Sequence, residues 1–255
     1  MRPPSFLELP ARTGKPRTAG LTHVLDTGVS PGSAAAVLGT GAGYVDVWKI
    51  GWGIAYVDSG LEAKLQVLAE AHVTACLGGT LLEIAWAQDR AEECLAWAHE
   101  VGFPYVEVSR GTVPMSLADK HELIRRAAGR FAVLAEVGSK DPGELLTPQQ
   151  WQAEAQHDLD AGAYMVVTEG RASGTVGTFD ASGRVREDIV AAVVNGVGLE
   201  RVIFEAPRRE QQAWFVRRFG HEVNLGNVGL DQLMAVETLR LGLRSDTAVA
   251  ETLVR

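Results

Sequence analysis

Eight short apolar runs, rich in β-branched residues and separated by stretches of helical period, constrain this chain more than any other feature. They read LTHVLDTG (21–28), YVDVWKIGWG (44–53), VTACLGGT (73–80), YVEVSRGT (105–112), FAVLAEVGSK (131–140), YMVVTEGR (164–171), RVIFEAP (201–207) and HEVNLGNV (221–228). Runs of this length with glycine or polar exits are buried strands. The periodicity predicts helices over 34–38, 61–71, 90–101, 117–128, 147–161, 186–197, 210–219 and 230–243. Asp58 or Ser59, Ser116 and Thr147 stand where N-caps belong, and Pro148 fits a first helical position.

Strict strand–helix alternation requires parallel strands with right-handed crossovers, and eight such units close on themselves. The fold class is therefore α/β, a single (β/α)8 TIM barrel, and 255 residues is an ordinary length for one. The barrel is expected over 21–255. The proline-rich, unpatterned stretch 1–20 reads as an N-terminal arm carrying Arg12, Lys15 and Arg17.

In such a barrel the C-terminal strand ends carry the chemistry. Asp26, Lys49, Glu107, Glu136, Lys140, Glu169, Arg171 and Glu205 all fall at strand exits. The densest set lies between Arg130 and Gly174, where two apolar strands each end in opposite charges. Glu136, Glu169 and Glu205 leave three consecutive strands and so neighbour one another around the rim. Carboxylates that close repel unless a cation lies between them, and oxygen-only ligands suit Mg²⁺. A metal-free network, with Lys140 and Arg171 neutralising them, satisfies the same charges.

Two glycine-bearing turns are candidate anion sites. Gly78, Gly79 and Thr80 follow the third strand, where backbone N–H groups can approach an anion closely. Asn224, Gly226 and Asn227 belong to NLGNVG, at the place where barrels often bind phosphate. Together they favour a phosphorylated substrate.

Other chemistries are disfavoured. GTGAG at 39–43 precedes a strand, whereas a dinucleotide fingerprint must follow one. No GxxxxGK[ST] occurs, and His72, His99, His121 and His157 fall on helices or their ends without metal-binding spacing. A net charge of −8 with only isolated Arg-Arg pairs argues against nucleic acid, and no apolar run is long enough to span a bilayer. Cys76 and Cys94 lack CxxC spacing, which fits reduced thiols in a cytoplasmic protein. The start, MRPPSFLELPARTGKPRT, lacks the apolar core of a signal peptide.

KPR (15–17), YVDVWKIGWG, GGTLLE (78–83), EVGSKDP (136–142), AGAYMVVTEGRASG, EAPRREQQAWF (205–215), NLGNV and ETLRLGLRSDT (237–247) together resemble the phosphosulfolactate synthase family. They run in family order over nearly the whole chain. The resemblance implies a TIM-barrel lyase, homo-oligomeric, that uses Mg²⁺ to add sulfite to phosphoenolpyruvate. The product is phosphosulfolactate, on the way to coenzyme M or sulfolactate.

On this reading Lys49, Lys140 and Glu107 are catalytic, with either lysine as general acid, and Glu136, Glu169 and Glu205 hold the metal. Arg171, with Arg12, Lys15 or Arg17, binds phosphate, carboxylate or sulfite. The chain departs from the family pattern at Ile54, Ala55, Ser139, Gly170 and Ala172. Three alternatives stay open: another nucleophile on the same scaffold, a non-catalytic heat-stress-type member, and a Schiff-base aldolase using Lys49 or Lys140.

Overall fold

The computed structural model describes residues 6–138 and 146–248. The chain order is β1 (Thr22–Asp26), α1 (Pro31–Gly41), β2 (Val47–Ile50), α2 (Ile54–Val57), α3 (Leu61–Glu70), β3 (Thr74–Leu77), α4 (Gly79–Ala87), α5 (Ala91–Glu100) and β4 (Tyr105–Val108). It continues with α6 (Leu117–Ala128), β5 (Ala132–Val137), α7 (Pro148–Asp160), β6 (Met165–Thr168), α8 (Glu187–Val197), β7 (Val202–Glu205), α9 (Arg209–Phe219), β8 (Leu225–Gly229) and α10 (Leu233–Arg240). The strands form a closed, all-parallel barrel in sequence order, β8 pairing with β1, as the alternation predicts.

Each strand alternates between two apolar environments. Val24, Trp48, Ile50, Val106, Val133 and Phe204 point outward into the layer beneath the helices. Leu21, Val47, Cys76, Leu134, Met165, Val167 and Ile203 fill the barrel interior. The period-two alternation of a strand produces this division. Phe204 locks β7 to α9 by stacking on Phe215, ring centroids 4.5 Å apart.

The expected starts of α6 and α7 are present. The Ser116 hydroxyl accepts from Asp119 N, and Thr147 forms a capping box with Gln150. Two helices were not legible. α2 is a single turn, and α4 begins within the GGT motif and runs for nine residues where a turn was expected. α1 also extends beyond the alanine run at both ends.

The arm lies against the N-terminal end of the barrel, which corrects the expectation for its three cations. Arg12 pairs with Glu222 and Glu237, and Arg17 with Asp46. Lys15 Nζ donates to the carbonyls of Ala42 and Val45. These partners lie before the β2 and β8 strands or on α10, at the face opposite the strand exits. Arg12, Lys15 and Arg17 close the barrel floor instead of meeting a substrate at its mouth. Asn224 belongs there too: its carboxamide accepts from Leu21 N and donates to Val202 O, tying together the strand starts.

Candidate active site

At the C-terminal mouth a cavity of about 450 Å³ opens above the apolar interior. Lys49, Glu107, Glu136 and Glu205 line it, and each is at most 5% exposed. Their strands present them inward because each sits two residues beyond an interior apolar position: Val47, Tyr105, Leu134 and Ile203.

Lys49 is the hub. Its Nζ donates to Glu107 Oε2 at 2.9 Å and to Glu205 Oε1 at 3.0 Å. The second oxygens of these carboxylates are held by backbone. Glu107 Oε1 accepts from Gly79 N, and Glu205 Oε2 accepts from Gly170 N. Burial alone lowers a lysine pKa, but the carboxylates of Glu107, Glu205 and Glu136 outweigh it and hold the Lys49 pKa well above its usual value. Lys49 is therefore a fixed ammonium. An amine so protonated is a poor Schiff-base nucleophile, which weighs against the aldolase alternative.

Glu205 moves the other way. Burial raises its pKa, the charges of Glu136 and Glu107 add to the rise, and Lys49 only partly offsets them. The neutral form gains because three acidic groups share one low-dielectric space. His23, fully buried on β1 in the same interior, is held well below its usual pKa, first by burial and then by the Lys49 charge.

The acidic cluster differs from the one expected. One oxygen each of Glu107, Glu136 and Glu205 lies within 4.8 Å of the other two. Glu107 takes the place anticipated for Glu169. Glu169 Oε1 instead accepts from Arg171 N, closing a tight turn in which Arg171 adopts a left-handed φ of 52°. Glu169 and Arg171 still border the cavity.

The two anion motifs are only partly at the mouth. Gly79 and Thr80 line the cavity as the first residues of α4, but the Gly79 N–H is already given to Glu107. Gly78 does not line it. A Cβ there would sit 2.7 Å from Ile50 O, so this glycine permits β3 and β2 to approach closely. In NLGNVG only Asn227 borders the cavity. Gly226 faces Ile203 and His23 inside the barrel. Asp26 is at a strand exit, but its carboxylate turns outward to Trp48 Nε1 and Lys64 Nζ. Lys140 and Ser139 lie outside the described residues.

Three side chains at the mouth escaped the sequence reading: Trp52, Thr112 and Glu83. Trp52 and Thr112 line the cavity. Glu83, buried on α4, accepts from the Ser109 hydroxyl and from the backbone N–H groups of Thr112 and Val113, fastening the loop after β4. A glutamate in the apolar stretch TLLEIAW was the available signal.

A parallel barrel that collects buried opposed charges at its C-terminal mouth, around a cavity of this size, defines an enzyme of the (β/α)8 class. The sequence profile of the (2R)-phospho-3-sulfolactate synthase (ComA) family matches residues 10–246. Phosphosulfolactate synthase of Methanothermobacter thermautotrophicus is 40% identical over 244 residues, covering 93% of this chain and 95% of that protein. The Bacillus subtilis phosphosulfolactate synthase is 40% identical over 245 residues, covering 94% and 97%. The chain belongs to the phosphosulfolactate synthase family. Among solved structures a 3-hexulose-6-phosphate synthase superposes with a TM-score of 0.56 at 19% identity, covering 86% of this chain and 97% of that one, a likeness of fold alone. No helix among the described residues is long and apolar enough to cross a membrane.

Proposed function

We propose that this enzyme adds sulfite to phosphoenolpyruvate with the assistance of Mg²⁺, giving phosphosulfolactate. The observation that carries the reading is the Lys49 ammonium, fixed between Glu107 and Glu205 at the floor of the cavity. The names of the relatives at 40% identity give the product, phosphosulfolactate, and sulfite and phosphoenolpyruvate are the substrates that the family resemblance implies.

In the reaction the sulfite sulfur bonds to the methylene carbon of phosphoenolpyruvate. The π electrons move toward C2 and its carboxylate, and a proton then reaches C2. No phosphate is lost. A cation fixed beside the carboxylate is worth most when that charge develops, because it needs no reorganisation and works out of water. Lys49 meets this requirement. The proton is assigned to Lys140, since the raised pKa of Lys49 makes its ammonium a reluctant proton donor. Arg171, at the cavity wall, offers a planar guanidinium to phosphate or sulfite oxygens.

The residues present suit Mg²⁺. The donors are all carboxylate oxygens, the preference of a hard cation, and oxygens bound to one Mg²⁺ span at most about 4.2 Å. The observed 4.8 Å requires only a small closing of the Glu107, Glu136 and Glu205 side chains. Their acidity exceeds the single charge of Lys49, and the raised Glu205 pKa reports the deficit. Bound there, Mg²⁺ supplies Lewis-acid stabilisation of the developing charge.

Ala172, where the family pattern has a carboxylate, also lines the cavity. Losing that charge lowers repulsion toward anions at the mouth, and it is the observation that favours a second reading, another small anionic nucleophile. Incubating the enzyme with phosphoenolpyruvate, sulfite and Mg²⁺ and following the adduct by mass spectrometry tests the first reading. The same assay with other anions tests the second. The homo-oligomer that the family resemblance implies belongs to this proposal.

A further inference from the structure

The seam between β8 and β1 is irregular at one place, directly beside the cavity. Thr22 pairs with Leu225, but Val24 pairs with Val228, so three steps along β8 oppose two along β1. The extra residue lies at Gly226–Asn227. Bulges of this kind re-aim a side chain and concentrate next to active sites. Here Asn227 takes a left-handed φ of 51° and borders the cavity. A non-glycine residue in that region needs surrounding structure to hold it.

His23 provides the hold. It sits on β1 opposite the bulge, fully buried, and its Nδ1 accepts the Asn227 backbone N–H at 3.3 Å. Accepting at Nδ1 fixes the tautomer of a neutral imidazole, with the proton on Nε2. Nε2 has no hydrogen-bond partner among the described residues. Among the described residues the bond to Asn227 is thus the one polar anchor of the ring, and a leucine would fill the space but leave the buried Asn227 N–H without its acceptor. Gly226 permits the approach, since a Cβ there would meet Ile203 Cγ2 at 2.9 Å and His23 Nδ1 at 3.2 Å. The Asn227 Oδ1 is buried without a partner among the described residues; being an acceptor it cannot meet an anionic oxygen, so a contact to one falls to the Nδ2 donor of the same carboxamide.

We propose that His23 is a positioning residue that pins the β8 bulge, so that Asn227 can donate its carboxamide Nδ2–H to an anionic oxygen of the bound substrate. The substrate class follows the function proposed above, a phosphorylated carboxylate, and the inference rests on that reading. His23 touches no substrate. It acts through the Asn227 backbone.

The test uses the full chain with His23→Leu, His23→Asn and Asn227→Ala. Asparagine keeps a polar acceptor at the δ position, whereas leucine keeps only bulk. Amide hydrogen exchange gives a readout independent of any ligand: His23→Leu speeds exchange of the Asn227 N–H by ten-fold or more, and His23→Asn restores slow exchange. Histidine ¹⁵N NMR shows an unprotonated Nδ1 for His23 at neutral pH. With phosphoenolpyruvate, His23→Leu and Asn227→Ala each raise KM about ten-fold or more with a smaller change in kcat, the scale of one lost hydrogen bond to a charged group.

Wild-type KM and wild-type Asn227 exchange in a folded His23→Leu would overturn the proposal. Should the wild type bind no phosphoenolpyruvate, the functional reading fails, and the positioning role is then decided by exchange alone. Equal exchange in His23→Leu and wild type refutes it. Faster exchange, rescued by asparagine, upholds it.

Discussion

Lys49 Nζ lies 2.9 Å from Glu107 Oε2, across the barrel mouth from β2 to β4. Both side chains are buried, so Glu107 without the ammonium would be a charge isolated from water, while the ammonium keeps Glu205 as its second partner. Lys49→Met is therefore expected to lower kcat by about 10²-fold or more, the scale for a preorganised electrostatic group. Lys140→Ala is expected to lose a similar factor through the proton transfer. Steady-state kinetics beside a thermal melt separates the chemistry from folding. Lys49→Met at wild-type turnover would remove the lysine from the mechanism.

The proposed metal dependence rests on the carboxylate trio. Glu136→Gln removes one of three anionic donors, and the Mg²⁺ concentration for half-maximal activity is expected to rise at least ten-fold. Glu169→Gln should move it less, because the Glu169 carboxylate is turned to the Arg171 backbone. Metal titrations of the two variants make the comparison. A larger shift for Glu169→Gln would return that residue to the metal site.

Arg171 is expected to act on substrate binding. Arg171→Ala should raise the KM of an anionic substrate by roughly one to two decades, the equivalent of about 1.5–3 kcal/mol for a charge-assisted hydrogen bond. The left-handed φ at this position tolerates alanine poorly, so Arg171→Asn is the companion variant. An unchanged KM in both would assign the anion to another group.

Acid stability is expected to depend on the buried pairing behind β5. Burial raises the Glu154 pKa, but the charges of Lys120 and Arg110 outweigh it, and the net pKa is lowered. A carboxylate with a depressed folded pKa contributes stability that is present above the usual glutamate value and is lost as pH falls through the folded one. Glu154→Gln should be destabilised by about 1–3 kcal/mol at neutral pH and lose less than wild type below about pH 4.5. Denaturant melts from about pH 3 to about pH 7 resolve the two slopes, because the usual carboxylate values near 4 fall inside that range. Parallel slopes would show that another group controls acid unfolding.

The barrel was legible because eight periodic units leave few topologies. The mouth was legible because a charge that ends an apolar strand is conspicuous, and Lys49, Glu107, Glu136 and Glu205 carry that signal. Side-chain direction was not. Asp26 and Glu136 look alike in sequence, yet the strand period turns Asp26 outward to Trp48 and Lys64 and Glu136 inward to the cavity. The arm cations misled because charge alone does not say which end of a barrel an arm covers, and their partners Asp46, Glu222 and Glu237 are distant in sequence. The β8 bulge left no signature beyond Gly-Asn, which also reads as an ordinary turn.

The proposed reaction joins sulfite to phosphoenolpyruvate at the Lys49-centred mouth. Phosphorus NMR of enzyme, phosphoenolpyruvate, sulfite and Mg²⁺ follows it most directly. The expected result is loss of the phosphoenolpyruvate resonance and growth of one new phosphate ester, without free phosphate, both slowed about 10²-fold or more in Lys49→Met. Release of inorganic phosphate, or bound phosphoenolpyruvate that persists at high sulfite, would contradict it.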